Sequence, residues 1–251
     1  MMEKNFFQEV YPFATENMNA YFERLELSDK SVLTVGSSCD QLFNAIAYGA
    51  KSVTVFDINP NVKKYYEWKK QLLFQCKREN FVKTVLEKIE CSDISFTKDI
   101  LDIGTIYRIN HYLENDDVYK QLQQLLIQTP VNFVEGNLFA PNIKEQYDRI
   151  IFSNVLQYVG SFFPGNHLSS YQIIRDTFMI WKSLLNKEGI LQFLYLYSFR
   201  TKDLHDCSHS IACYNIKPIY NLLKGHRLDM EWISGICQEP DAILTYTNSK
   251  K

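Results

Sequence analysis

The 251-residue chain carries 27 Lys and Arg against 29 Asp and Glu, a net charge of −2 with a pI near 6.2. That balance excludes a strong overall field for nucleic acid. With 46% apolar residues, including 17 Phe and 16 Tyr, the chain suits one α/β domain with an insertion, or at most two small domains. The longest apolar-rich run, Gly189–Tyr197, is far too short to cross a bilayer, and the opening MMEKNFFQEV has no apolar core of secretory length. The six cysteines (39, 76, 91, 207, 213 and 237) form no C-x-x-C pair. A cytoplasmic protein with reduced thiols and no transmembrane segment is expected.

In chain order, Met1–Glu26 is amphipathic and predicts a helical lead-in within residues 1–30. Val32–Val35 reads as a buried strand, Asp40–Tyr48 as a helix stopped by Gly49, and Ser52–Phe56 as a second strand. Asn59 suits an N-cap and Pro60 a first helical residue, opening a helix to about Lys77. Residues 80–130 are far too long for a crossover. They predict a helical insertion, read as a cap, with helices over Phe81–Ile89, about Ile100–Tyr112, and Asp116–Gln128. Val131–Val134 and Asp148–Ser153 are the next strands. Ser169–Leu185 is a helix with Ile173, Phe178, Ile180, Trp181 and Leu184 as its apolar positions, and Asn186–Gly189 turns into a strand over Ile190–Tyr197. A short helix at Ile216–Leu223 precedes strands at Arg227–Ile233 and Ala242–Thr247. This alternation predicts a single α/β domain over residues 1–251. Its sheet would be doubly wound, mostly parallel and seven-stranded, closed by an antiparallel hairpin.

The segment VLTVGSSCDQLFNAIAYGAKSVTVFDIN has the strand, turn, helix and strand of a nucleotide site but keeps one glycine in its turn. Ligands of open α/β sheets sit beyond the carboxyl ends of the strands. Gly36 lets backbone approach a ligand, and Ser37 and Ser38 are small and can hydrogen-bond. Asp57, 21 residues after Gly36 at the end of the second strand, is placed to accept ribose hydroxyls. A dinucleotide needs a glycine-lined approach to its pyrophosphate, and Asp40 would set a negative charge beside it. S-adenosylmethionine has a ribose, no phosphate and a sulfonium that Asp40 would favour through space. The bland alternative makes Gly36 a strand end and Asp57 a turn cap. Two further strand ends add to the cofactor reading: Asn137 with Leu138 is suited to an adenine edge and face, and Ser153 to the region where donor and acceptor meet.

The run VLTVGSSCDQLFNAIAYGAKSVTVFDINP, followed by KKYYEWKKQLL, resembles class I S-adenosylmethionine-dependent transferases related to the diacylglycerol 3-amino-3-carboxypropyl transferases of betaine-lipid synthesis. The resemblance covers roughly residues 11–200. It implies a Rossmann-like methyltransferase sheet, and a D-x-N-P turn that brings Asp57, Ile58 and Asn59 to the cofactor. It also implies a YPFATEN lead-in placing Tyr11, Thr15 and Glu16 nearby, and a helical insertion matching YRINHYLENDDVYKQLQQLL.

Group transfer from a sulfonium depends mainly on alignment of donor and acceptor, and a general base is optional. Asn154 and Tyr158 are the catalytic candidates, to orient and to line the pocket of a small-molecule acceptor, with Gln157 beside them; each is equally readable as a cap or a core contact. Phe162–His167 reads either as an aromatic lid or as a loop tucked into the core. His205, Cys207 and His209 alternate without tetrahedral zinc spacing, so no metal is expected. Cys39 reads as a packing residue, and Lys63, Lys64, Lys69 and Lys70 as a solvated helix face. Methyl transfer leads; aminocarboxypropyl transfer and a non-catalytic cofactor-binding module stay open, and a nicotinamide dehydrogenase is disfavoured by the turn.

Overall fold

A computed structural model of the chain describes residues 10–89, 102–153, 155, 167–194, 228–234 and 240–249. Seven strands lie among them: β1 (Ser31–Val35), β2 (Ser52–Asp57), β3 (Val131–Glu135), β4 (Tyr147–Phe152), β5 (Leu185–Phe193), β6 (Leu228–Ser234) and β7 (Pro240–Thr247). Their order is β3-β2-β1-β4-β5-β7-β6. Two compact units, residues 1–135 and 136–251, divide the chain.

In the first unit β1, β2 and β3 run parallel, with Leu33 opposite Thr54 and Asp57 opposite Glu135. The valine-rich strands β1 and β2 are buried almost throughout, as expected where helices cover both faces. β3 is the edge strand and is correspondingly half-exposed. Helix α1 occupies only Met18–Phe22, and Val10–Asn17 before it is irregular, so the described lead-in is less helical than its amphipathic pattern predicts. The helix α2 (Asp40–Ala47) is buried along most of its length. It ends in a Schellman turn: Gly49 (φ +85°) donates to Ile46 O at 2.9 Å and Ala50 to Ala45 O at 3.0 Å. Gly49 is needed there because a side chain resists that backbone.

Helix α3 (Asn61–Gln75) buries Val62, Tyr65, Tyr66, Lys69 and Leu73, one stripe at three- and four-residue spacing. Lys69 is thus not part of a solvated face; Lys63 and Lys64 are exposed as expected and Lys70 is half-buried over the Tyr66 ring. The insertion supplies α4 (Arg78–Ile89), α5 (Ile103–Ile109), a 3-10 turn at His111–Leu113, and α6 (Asp116–Gln128). Asn115 caps α6 by accepting from the Asp117 and Val118 amides, both at 3.0 Å. The side chains of Tyr119 and Gln123 donate to Leu73 O at 3.1 and 2.7 Å, fastening α6 to the end of α3. α6 also packs on α2. The expected cap is, in its described part, a layer packed on α2 and α3.

In the second unit β4 and β5 are parallel, and β7 runs antiparallel to both β5 and β6. The turn expected at Asn186–Gly189 lies within β5 as an irregularity: Tyr147 pairs with Leu185, and the next pair is Arg149 with Ile190. Glu188, at φ +65°, donates its amide to Asn248 O at 2.7 Å. Helix α7 (His167–Ser183) turns Ile174, Phe178 and Trp181 inward; Ile180, expected inside, is exposed, and Ile173 is half-buried. The Trp181 ring meets Phe152 edge-on at 4.7 Å.

Candidate functional site

The candidate site is centred on the turn after β1. Asp57 stands at the carboxyl end of β2, half-exposed, and its Oδ2 accepts from the amides of Gly36 and Ser37 at 3.0 and 3.1 Å. Oδ1 accepts from the Asn59 amide at 2.9 Å, and the Asn59 side chain in turn accepts from the Asn61 amide at 2.9 Å, opening α3. The D-x-N-P segment therefore closes on itself and on the turn together. A carboxylate has about four lone-pair directions, so three amide bonds do not exhaust it.

Gly36 is required by space. A Cβ there would lie 2.4 Å from Val62 Cγ1 and 2.8 Å from Asp57 Oδ2. Ser37 (φ +40°) and Cys39 (φ +66°) both take left-handed backbone, which costs a side-chain-bearing residue about 1–2 kcal/mol. Four amides of the turn are engaged by the protein itself: Cys39 donates to Gly36 O at 2.7 Å and Asp40 to Ser38 Oγ at 3.3 Å, while those of Gly36 and Ser37 go to Asp57. A pyrophosphate cradle aims such amides at the ligand.

Beneath the turn lies a charged centre that the sequence reading did not assemble. Asp40, expected to face the cofactor, is fully buried and paired with Lys69 at 2.8 Å. Its Oδ1 also accepts from Tyr112 Oη at 2.8 Å and its Oδ2 from the Ala14 amide at 2.6 Å. The three donors of Lys69 go to Asp40, Pro12 O and Ser38 O, the latter two at 3.0 Å each. Tyr65 Oη donates to Pro12 O at 3.1 Å. The Phe13 ring lies 4.6 Å from the ammonium. With a cation against Asp40 the pair is neutral, so its charge does not decide against a phosphate; what argues against one is that the Gly36, Ser37, Cys39 and Asp40 amides are already engaged. The signal for this centre was present: Lys69 lies seven residues after Val62 and four before Leu73, on the apolar stripe, where a lysine requires a buried acceptor.

Burial pushes the Cys39 thiol well above its ordinary range, with the Lys69 cation opposing. Cys39 is thus a neutral packing group, as its sequence context suggested. Burial also pushes the hydroxyls of Tyr65 and Tyr112 well up, reinforced by the charge of Asp40.

The lead-in meets the turn through these bonds and through Glu16, which accepts from Gln41 Nε2 at 3.4 Å; Gln41 also contacts Thr34 Oγ1. Thr15 is half-buried in this segment, whereas Tyr11 and Ile58 are 40% and 50% exposed. Glu135, which the sequence reading passed over, stands exposed in register with Asp57.

The remaining described candidates belong to the second unit. Asn137 Oδ1 accepts from the Phe139 amide at 2.9 Å, and Leu138 O accepts from Trp181 Nε1 at 2.9 Å, so helix α7 holds this loop. Ser153 is buried just past β4. Asn154, Gln157, Tyr158, the aromatic loop before His167 and the His205–His209 run lie outside the described residues. Among the described residues there is no cluster of three or more His, Cys, Asp or Glu able to hold a metal ion, and no helix is long and apolar enough to cross a membrane.

The strand order, with β7 set antiparallel beside β5, is that of a Rossmann-like methyltransferase sheet. No protein-family model and no curated protein matches the chain. Similar solved structures include the N-methyltransferase NodS from Bradyrhizobium japonicum WM9 in complex with S-adenosyl-L-homocysteine, at 12% identity and TM-score 0.45, covering 92% of this chain and 85% of that one. Another is the magnesium protoporphyrin IX methyltransferase from Synechocystis PCC 6803 with bound SAM, at 13% identity and TM-score 0.43, covering 89% and 72%.

Proposed function

We propose that this chain is an S-adenosylmethionine-dependent methyltransferase acting on a small-molecule acceptor in the cytoplasm. The observation that carries this reading is the half-exposed Asp57 at the end of β2, joined to Gly36 and Ser37 in a turn four of whose amides are already engaged. Such a turn suits a ligand held by its sugar rather than by phosphate. Asp57 would accept from the ribose hydroxyls, with Gly36, Ser37 and Ser38 as the floor, Ile58 and Asn59 beside them, and Tyr11 and Thr15 from the lead-in. Asn137 and Leu138 are proposed for the adenine and Ser153 for the transfer region. Asn154 would orient the acceptor and Tyr158 line its pocket, the proton leaving to solvent or to a base on the acceptor side. When bound, S-adenosylmethionine would supply an alkyl carbon activated by its sulfonium. Alignment then provides most of the rate.

The resemblance of Val32–Pro60 and YPFATEN to the aminocarboxypropyl transferases supports a second reading, transfer of the 3-amino-3-carboxypropyl group. Incubation of the chain with S-adenosylmethionine and cell extract, followed by mass spectrometry, separates the two. S-adenosylhomocysteine is expected; 5′-methylthioadenosine would move the assignment to the second reading. Cofactor binding with neither product across a broad acceptor panel would favour a non-catalytic module.

A further inference from the structure

The left-handed residues Ser37 and Cys39 occupy a turn where glycines would hold that backbone without strain. Side-chain-bearing residues persist there only when their surroundings over-determine them. We propose that Lys69 is a positioning residue for the cofactor turn, its ammonium clamping the Ser38 carbonyl and the Pro12 carbonyl together and so doing the work of a missing glycine at Cys39. This rests on the reading that the turn holds S-adenosylmethionine.

The geometry is specific. The peptide plane preceding Ser37 is held through its N–H, which donates to Asp57 at 3.1 Å. The plane preceding Cys39 is held at both ends: its N–H donates to Gly36 O at 2.7 Å, and its carbonyl, Ser38 O, accepts from Lys69 at 3.0 Å. Each left-handed residue therefore follows a plane pinned by one charged side chain from the β2–α3 segment. The ammonium is suited to this because it has three diverging donors and meets three acceptors. The rings of Phe13, Tyr65, Phe43 and Phe81, at 4.6–6.0 Å, surround it, so water does not compete for those bonds. Asp40 supplies the countercharge and carries the clamp outward, to Ala14 in the lead-in and Tyr112 in the insertion. The insertion thereby acts on the cofactor turn from below.

The test uses the full chain and calorimetric titration with S-adenosylmethionine, with thermal unfolding in parallel. The paired variant Asp40→Asn/Lys69→Met removes both buried charges at once. It is expected to unfold cooperatively and to bind at least tenfold more weakly than wild type. Adding Cys39→Gly in that background is expected to recover threefold or more of the lost affinity, a gain that a purely structural ion pair would not produce. Affinity within twofold of wild type in the paired variant, or no recovery with glycine, overturns the proposal. Should the paired variant not fold, Lys69→Arg decides. It keeps the cation, but its planar fork cannot reproduce three diverging bonds, and at least threefold weaker binding is expected; wild-type affinity in a folded Lys69→Arg overturns the proposal. A wild-type chain that shows no binding removes the cofactor reading itself, an outcome distinct from all of these.

Discussion

The ammonium of Lys69 lies 2.8 Å from Asp40 Oδ1, with both side chains wholly out of water. Two charges in such a place are tolerated only when their remaining hydrogen-bonding capacity is met. Here the cation has two backbone carbonyls besides the carboxylate, and the carboxylate has a tyrosine hydroxyl and an amide besides the cation. The pair joins the lead-in, the turn after β1, α3 and the insertion, four segments spread over a hundred residues of chain.

Removing one member should therefore be costly. Lys69→Met leaves Asp40 buried and unpaired, and is expected to lower stability by about 3–5 kcal/mol. Urea unfolding of Lys69→Met and of Asp40→Asn/Lys69→Met checks this. The paired variant should regain most of the loss, and equal stability of the two would show that the charge is not the cause.

Asp57→Ala removes the acceptor for the Gly36, Ser37 and Asn59 amides. Affinity for S-adenosylmethionine should fall by about 1–3 kcal/mol, the scale for polar groups left without their partner. Calorimetry giving the wild-type dissociation constant would take Asp57 out of the site.

Gly36→Ala places a methyl 2.4 Å from Val62 Cγ1. Overpacking of this kind costs about 1–3 kcal/mol, and the Val62→Ala change should relieve a large part of it. A double variant no more stable than Gly36→Ala alone would point to a cause other than the contact with Val62.

The raised hydroxyl pKa values of Tyr65 and Tyr112 have a pH signature. Both are held protonated in the fold above their unfolded value, so between the two values the unfolded chain binds fewer protons and stability declines. Stability from these groups should be complete below about pH 10 and diminish above it. Tyr48, pushed up to about 12 mainly by burial, adds to the same decline. Urea midpoints followed from neutral to alkaline pH, with tyrosinate absorbance, test this; a midpoint unchanged at pH 11 would contradict the burial of these rings.

Much of this was legible from local signals. Gly49 stops α2 because a left-handed residue completes the helix end, and that preference is carried by one residue type. Asn115 before Asp116–Gln128 marks α6 because its side chain reaches amides two and three positions ahead. Asp57, expected at the end of the valine-rich second strand, does end β2. Boundaries shifted where tertiary contacts intervene, as at β5, whose expected preceding turn became an irregularity held by Asn248. Lys69 escaped because a lysine among four on one helix reads as solvated until the helix face is assigned residue by residue.

Strand identity, helix ends and the glycine-poor turn follow from short-range rules, in which steric and hydrogen-bonding preferences act over a few residues and are written into residue type and spacing. The partners of Asp40 could not be read that way. Lys69 is 29 residues away, Tyr112 is 72 and Ala14 is 26. Each contact exists because a buried charge accepts whichever donors the packing of separate helices delivers to it, and that delivery is a property of the assembled chain.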